Sequence, residues 1–160
     1  LYYYGVRYEH IPLLYDIQND VVVTRKYNNG VLMQLASAWV NSYSFASHSF
    51  IRIAADSATN PGFPTGFFEV LYDGNTQVVR RVHKKIFEAT NLDKSFVETQ
   101  RFYIRTGPLY KPANSRSELL NDFPNRKEIR RFMRANHLNY KKNPQETLIR
   151  VAGYHDEPKK

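Results

Sequence analysis

The chain has 160 residues, 42% hydrophobic, 14% aromatic and 24% charged, which suits one compact domain with or without an appended subdomain. Leu, Ile, Val and Phe make up 42 residues, too many for general disorder, and the absence of cysteine excludes disulfide scaffolds, Cys-ligated zinc, iron–sulfur clusters and thiol nucleophiles. The charge is lopsided: residues 1–79 carry 4 Lys/Arg against 6 Asp/Glu and residues 80–160 carry 19 against 9, so the whole excess of +8 comes from the second half.

Tyr2, Tyr4, Val6 and Tyr8 alternate with Tyr3, Gly5 and Arg7, the period-2 signature of a half-buried strand. Apolar runs Ile11–Ile17 and Val21–Tyr27 meet across Gln18-Asn19-Asp20 as a hairpin, and Asn28-Asn29-Gly30 predicts another into Val31–Leu35. Trp39, Tyr43 and Phe45 are expected on one face of the next strand, followed by a strand at Phe50–Ala55 and a loop over 54–65. Phe67–Tyr72 closes on Asp73-Gly74-Asn75, the strongest hairpin signal in the chain. In Val78–Phe87 the residues Val78, Val82 and Ile86 fit a helix or one face of a strand, and the preceding Asp-Gly turn favours the strand. Phe102 and Ile104 mark a strand before Gly107-Pro108.

After Pro112 the pattern turns helical. Ser115 with Glu118, and Asn125 with Glu128, have capping-box spacing ahead of apolar residues. Asn143-Pro144-Gln145-Glu146 supplies an N-cap, a proline at the first helical position and an acid at the third. Three short helices are expected, the last carrying Leu148, Ile149, Ala152 and Tyr154, with 156–160 as a frayed tail. The expected fold is α+β: an antiparallel β-meander with a barrel-like or sandwich core over 1–113, then a small C-terminal helical subdomain over 114–160 packed on it. No run approaches the roughly 20 apolar residues needed to span a bilayer. The start at Leu1, with no leader in view, predicts a processed or truncated product whose targeting segment lies upstream.

Three stretches together resemble an uncharacterised family of secreted or envelope proteins of the Bacteroidota. They are Ile11-Pro12-Leu13-Leu14-Tyr15-Asp16 running into Asp20-Val21-Val22-Val23, the run Thr65-Gly66-Phe67-Phe68-Glu69-Val70-Leu71-Tyr72-Asp73-Gly74, and Phe123-Pro124-Asn125-Arg126-Lys127-Glu128-Ile129 through to Tyr140-Lys141-Lys142. The likeness covers nearly the whole chain, and the middle stretch is its most specific part. It implies a location in the periplasm or at the outer-membrane periphery, and it brings no activity or functional residues with it.

The basic second half holds the sharpest chemical feature. Arg126, Arg130 and Arg134 lie at i, i+4, i+8 with Lys127 and Arg131 in a parallel row, and Lys141-Lys142 follow. Arg80, Arg81, Lys84 and Lys85 form a second cluster. Such cations could serve nucleic acid, an anionic membrane surface or an acidic protein, or could simply solubilise a helix face. Phe50, Phe67, Phe102 and Trp39 are expected in the core. Tyr3 cannot share the core with both Tyr2 and Tyr4, which makes it an edge or interface candidate.

The five histidines show no i, i+4 pair, and a Gly-x-Ser-x-Gly elbow, a phosphate-cradling loop and a calcium loop are all absent. Glu69 falls on the Phe67/Leu71 face and needs a partner if that face is buried, with a nearby Arg the expected one. No catalytic, cofactor or metal residues are expected. The expected function is a non-enzymatic envelope module that binds or scaffolds other proteins through edge strands and exposed aromatics. The alternative is a nucleic-acid or other polyanion binder using the basic C-terminal helix.

Overall fold

A computed structural model of the protein describes residues 1–26, 30–55, 62–88 and 94–157, with side chains described for all of these except 85–88 and 94–96. Eleven strands and three α-helices are described: β1 (Tyr2–Tyr3), β2 (Val6–Arg7), β3 (Leu13–Asp16), β4 (Val21–Arg25), β5 (Leu32–Gln34), β6 (Val40–Phe45), β7 (His48–Ile53), β8 (Gly66–Asp73), β9 (Gln77–Glu88), β10 (Lys94–Arg105), β11 (Lys111–Pro112), α1 (Arg116–Asn121), α2 (Arg126–Ala135) and α3 (Pro144–Asp156). An eight-stranded sheet runs β11-β10-β9-β8-β7-β6-β1-β2 and a three-stranded sheet runs β3-β4-β5. The fold is α+β; strands β6 to β11 of the large sheet run as a meander, β1 and β2 are added beside β6, and the sheet does not close into a barrel.

Two compact units divide the chain. The first comprises 1–54, 65–69 and 82–100, and the second comprises 55–64, 70–81 and 101–160. In the first, Val22, Leu35, Val40, Tyr43 and Phe67 form a buried cluster with Tyr3, Leu13, Tyr15 and Phe50 against it. Tyr43 is the hub of its ring packing, stacked on Phe50 at 4.9 Å and edge-on to Phe67 at 5.3 Å. In the second, Val78, Phe102 and Ile104 are covered by Leu119, Phe123, Ile129, Met133, Leu148 and Val151 of the helical segment. Alternation along β9 and β10 thus meets the 3.6-residue stripe of the helices, which is why these segments bury one face each.

The helix starts follow their caps. Ser115 Oγ accepts from the Glu118 N–H at 3.1 Å, while Glu118 reaches one residue further than a capping box requires and accepts from the Asn114 N–H at 2.7 Å. Asn143 accepts from the Glu146 N–H at 3.4 Å and Pro144 occupies the first turn. Asn125 makes no such cap and instead donates its side-chain amide to Glu128 at 2.9 Å.

Three expectations are revised. Tyr2 to Tyr8 is not one strand but a hairpin, with Tyr3 opposite Val6 and a two-residue turn at Tyr4-Gly5, both at positive φ (51° and 75°). Gly5 adopts that region without penalty, and the turn is the type whose twist suits a tight hairpin. Trp39 belongs to a single 3-10 turn, Ser37–Trp39, ahead of β6, and is 46% exposed rather than buried. Asp156 is the last residue of α3 and is well anchored, not part of a frayed tail. Asn28-Asn29, Asn60-Pro61 and residues 158–160 lie outside the described residues.

Candidate functional site

Helix α2 of the second unit owes its orientation to an apolar stripe. Ile129 and Met133 are fully buried, and Phe132 stacks on Tyr154 at 4.0 Å while the Tyr154 hydroxyl donates to Glu128 at 3.0 Å. This leaves Arg126, Lys127, Arg130, Arg131, Arg134 and Ala135 facing solvent. None of the five cations has a hydrogen bond, ion pair or ring contact with a described residue. Pro124, Asn125, Arg126, Lys127, Glu128 and Arg130 line a shallow, open depression of about 640 Å³ beside the first turn.

The arrangement works against the helix that carries it. Arg126–Arg130, Lys127–Arg131 and Arg130–Arg134 are like-charged i, i+4 pairs, each destabilising by roughly 0.2–0.5 kcal/mol. Arg126 and Lys127 also sit in the first turn, where the helix dipole is positive, with Glu128 the acid that offsets them. The repulsion totals on the order of 1 kcal/mol, and burial of Ile129 and Met133, at roughly 1.5–3 kcal/mol each, outweighs it.

The Arg80–Lys85 cluster is placed differently. Successive strand residues point to opposite faces, so β9 separates what the sequence groups. Arg81 is 8% exposed, Arg80 donates to Gln145 at 3.0 Å, and Lys84 is 3.7 Å from Glu98. The Lys85 side chain lies outside the described residues. Arg80 and Arg81 belong to the second unit and Lys84 to the first.

The first unit has its own exposed feature. Strand β5 is the edge of the three-stranded sheet, paired to β4 with Thr24 opposite Met33. Val31 accepts from the Lys26 N–H and the Leu35 N–H donates to Val22, both at 2.9 Å. In an antiparallel ladder that phase turns the backbone of 31, 33 and 35 toward β4, so the N–H and C=O of Leu32 and Gln34 face outward. Along this edge Leu32 is 56% exposed, Val31 and Met33 are also exposed, and Gln34 is an exposed polar neighbour. Leu14 and Leu32 share the outer face of the sheet with Val23. Neither Pro nor Lys, the usual guards of an open edge, lies within β5.

Beside the hairpin turn, Tyr4 is 64% exposed and stacks on Trp39 at 3.9 Å, and its N–H donates to the Trp39 carbonyl at 2.9 Å. Tyr3 points inward against the first unit's core, so the exposed rings of the tyrosine triplet are its neighbours, Tyr2 and Tyr4.

Glu69 is buried and contacts His48 Nδ1 at 2.6 Å, a contact the sequence does not announce. The pair faces each other across β7 and β8, where Phe50 opposes Glu69, a register no local pattern reveals. Among the described residues no group of three or more His, Cys, Asp and Glu side chains is placed to hold a metal ion, and no helix is long and apolar enough to cross a membrane. Comparison of the chain with family models, with curated proteins and with solved structures finds no match.

Proposed function

We propose that this chain is a non-enzymatic binding module of the cell envelope, in the periplasm or at the outer-membrane periphery, which receives an extended segment of a partner protein along β5. The observation that carries the reading is the edge itself: outward backbone groups at Leu32 and Gln34 between exposed Val31, Leu32 and Met33. Added strands gain main-chain hydrogen bonds for affinity and side-chain contacts on alternate residues for specificity. The location rests on the resemblance of the three quoted stretches.

The test is recovery of the full chain from gently solubilised envelopes, followed by amide hydrogen exchange. In the complex the Leu32 and Gln34 amides become slow to exchange, whereas in the free chain they are fast. Leu32→Pro removes an outward N–H and leaves the β4–β5 ladder bonded, so it releases the partner while the protein stays folded. A chain recovered alone, or a complex that Leu32→Pro leaves intact, refutes the reading.

A second reading, a nucleic-acid binder, draws on the unneutralised outer face of α2. It predicts duplex or single-strand binding that weakens steeply with salt, and no binding at low salt ends it.

A further inference from the structure

We propose that the outer face of α2 docks the protein onto an anionic lipid bilayer surface by charge alone. Arg126, Arg130 and Arg134 form one row and Lys127 and Arg131 another, all exposed and none neutralised by a described residue. Glu128 is the one acid on α2, and along each row the cations repel one another. What lowers the energy of such a face is a partner bearing many negative charges.

The form of the face selects the partner. Ile129 and Met133 hold the helix by its inner side, and Phe132 is stacked on Tyr154, so α2 has no apolar stripe left to insert between lipid chains. The ten-residue helix is about 15 Å long, lies along the surface of its unit, and offers both rows side by side. A plane of headgroup phosphates meets both rows at once. Every exposed side chain on α2 is Arg, Lys or Ala, without the Asn or Gln amides that read adenine or the aromatic rings that stack on bases. Exposed Lys141 and Lys142 add charge to the loop before α3.

The experiment is co-sedimentation of the full chain with vesicles of phosphatidylcholine containing 30% phosphatidylglycerol. Binding is expected at 50 mM salt, is lost at 500 mM, and is absent from pure phosphatidylcholine. Each basic residue near such a surface is worth about fivefold in partitioning. Arg130→Gln with Arg131→Gln therefore lowers it about 25-fold, and Arg126→Gln with Arg134→Gln does the same. Both pairs lie at exposed positions, and an unchanged circular-dichroism spectrum confirms folding. Replacing Arg126, Arg130 and Arg134 by Lys preserves binding, because the surface reads charge and not guanidinium geometry. No sedimentation at 50 mM salt, equal binding to neutral vesicles, or Gln variants that bind like the parent would each overturn the proposal. So would duplex DNA that strips the protein from vesicles at equal phosphate concentration, which assigns the face to nucleic acid.

Discussion

Replacing Asp156 by Ala tests how the end of α3 is fixed to the β8–β9 turn. The carboxylate accepts the Thr76 N–H at 2.8 Å (Oδ2) and 3.0 Å (Oδ1), the Thr76 hydroxyl at 2.7 Å and the Tyr72 hydroxyl at 3.2 Å. Thr76 is 1% exposed, so water cannot replace a lost acceptor. The hydroxyl retains an alternative in His155 Nδ1 at 3.1 Å, but the N–H has no second acceptor described. A buried unsatisfied donor costs roughly 1–3 kcal/mol and each hydrogen bond to a charged group is worth roughly 1.5–3 kcal/mol. Against this stands an acid at a helix C-terminus, unfavourable by roughly 0.3–1 kcal/mol. Hydrogen bonding wins, and Asp156→Ala should cost about 2–3 kcal/mol, or about 5–10 °C in Tm for a chain of this size. Asp156→Asn, which keeps one acceptor for the Thr76 N–H, should cost less. Burial pushes the Asp156 carboxyl upward, but hydrogen bonds from the Thr76 N–H and hydroxyl, His155 and Tyr72 more than offset it, leaving its pKa below the usual aspartate value. A depressed folded pKa means stability that is present above the unfolded value and lost as pH falls through the folded one. Urea denaturation of parent and variant between pH 7 and pH 2.5 reads both effects. A loss under about 0.5 kcal/mol, well below the hydrogen-bond range, or a variant with the parent's acid slope, refutes the reasoning.

Asp122 should behave with the opposite sign: burial, opposed by Lys111 and helped by Glu118, raises its pKa to about 6. The folded state then binds more protons than the unfolded one between about pH 4 and 6. Stability attributable to Asp122 therefore falls as pH rises through that window, and Asp122→Asn stabilises at pH 7.5 and flattens the profile, as denaturation at pH 4 and pH 7.5 would show. Gly74→Ala places a methyl against Asp156 Oδ2 and within 2.9 Å of the Tyr72 ring, so it should lower Tm in parent but much less in Asp156→Ala. Tyr4→Gly relieves roughly 1–2 kcal/mol of left-handed strain and loses a ring pair worth roughly 0.5–1.5 kcal/mol. Its stability should therefore lie within about 1 kcal/mol of the parent, while the emission of Trp39, the sole tryptophan, changes as its stacking partner is lost.

Local grammar carried much of the fold. Asp73-Gly74-Asn75 announces the β8–β9 turn because few residues fit it, and Pro144 marks the start of α3 because its ring suits only the first turn. The strand assignment for Val78–Phe87 succeeds through that same turn, which outweighs a helical spacing of Val78 and Val82. Tyr2–Tyr8 misleads because a hairpin with two outward residues in its turn reproduces the alternation of a straight strand. Trp39 misleads because size and hydrophobicity argue for burial, whereas its position is set by a stack with Tyr4, 35 residues earlier. The His48–Glu69 and Thr76–Asp156 contacts are tertiary, 21 and 80 residues apart, and leave no periodic trace. The β5 edge was legible as a strand but not as an edge, since sheet order is fixed only once other strands have chosen partners.

The basic half of the chain divides by what each cation costs to keep. Arg80 is hydrogen-bonded to Gln145, Arg81 is buried, and Lys84 lies by Glu98, so these charges are absorbed by the units that hold them. Arg150 likewise meets Glu146 at 3.9 Å and donates to Asn136 at 2.7 Å. The α2 cations have no such use, and each added one raises the repulsion along its row. Stability alone would be better served by Glu at 127 or 130, which turns like-charged i, i+4 pairs into opposite ones. Arg130→Glu should therefore raise Tm slightly while removing the face's affinity for anionic vesicles. A variant that gains stability as it loses binding separates the two roles, because the loss then cannot be laid to unfolding.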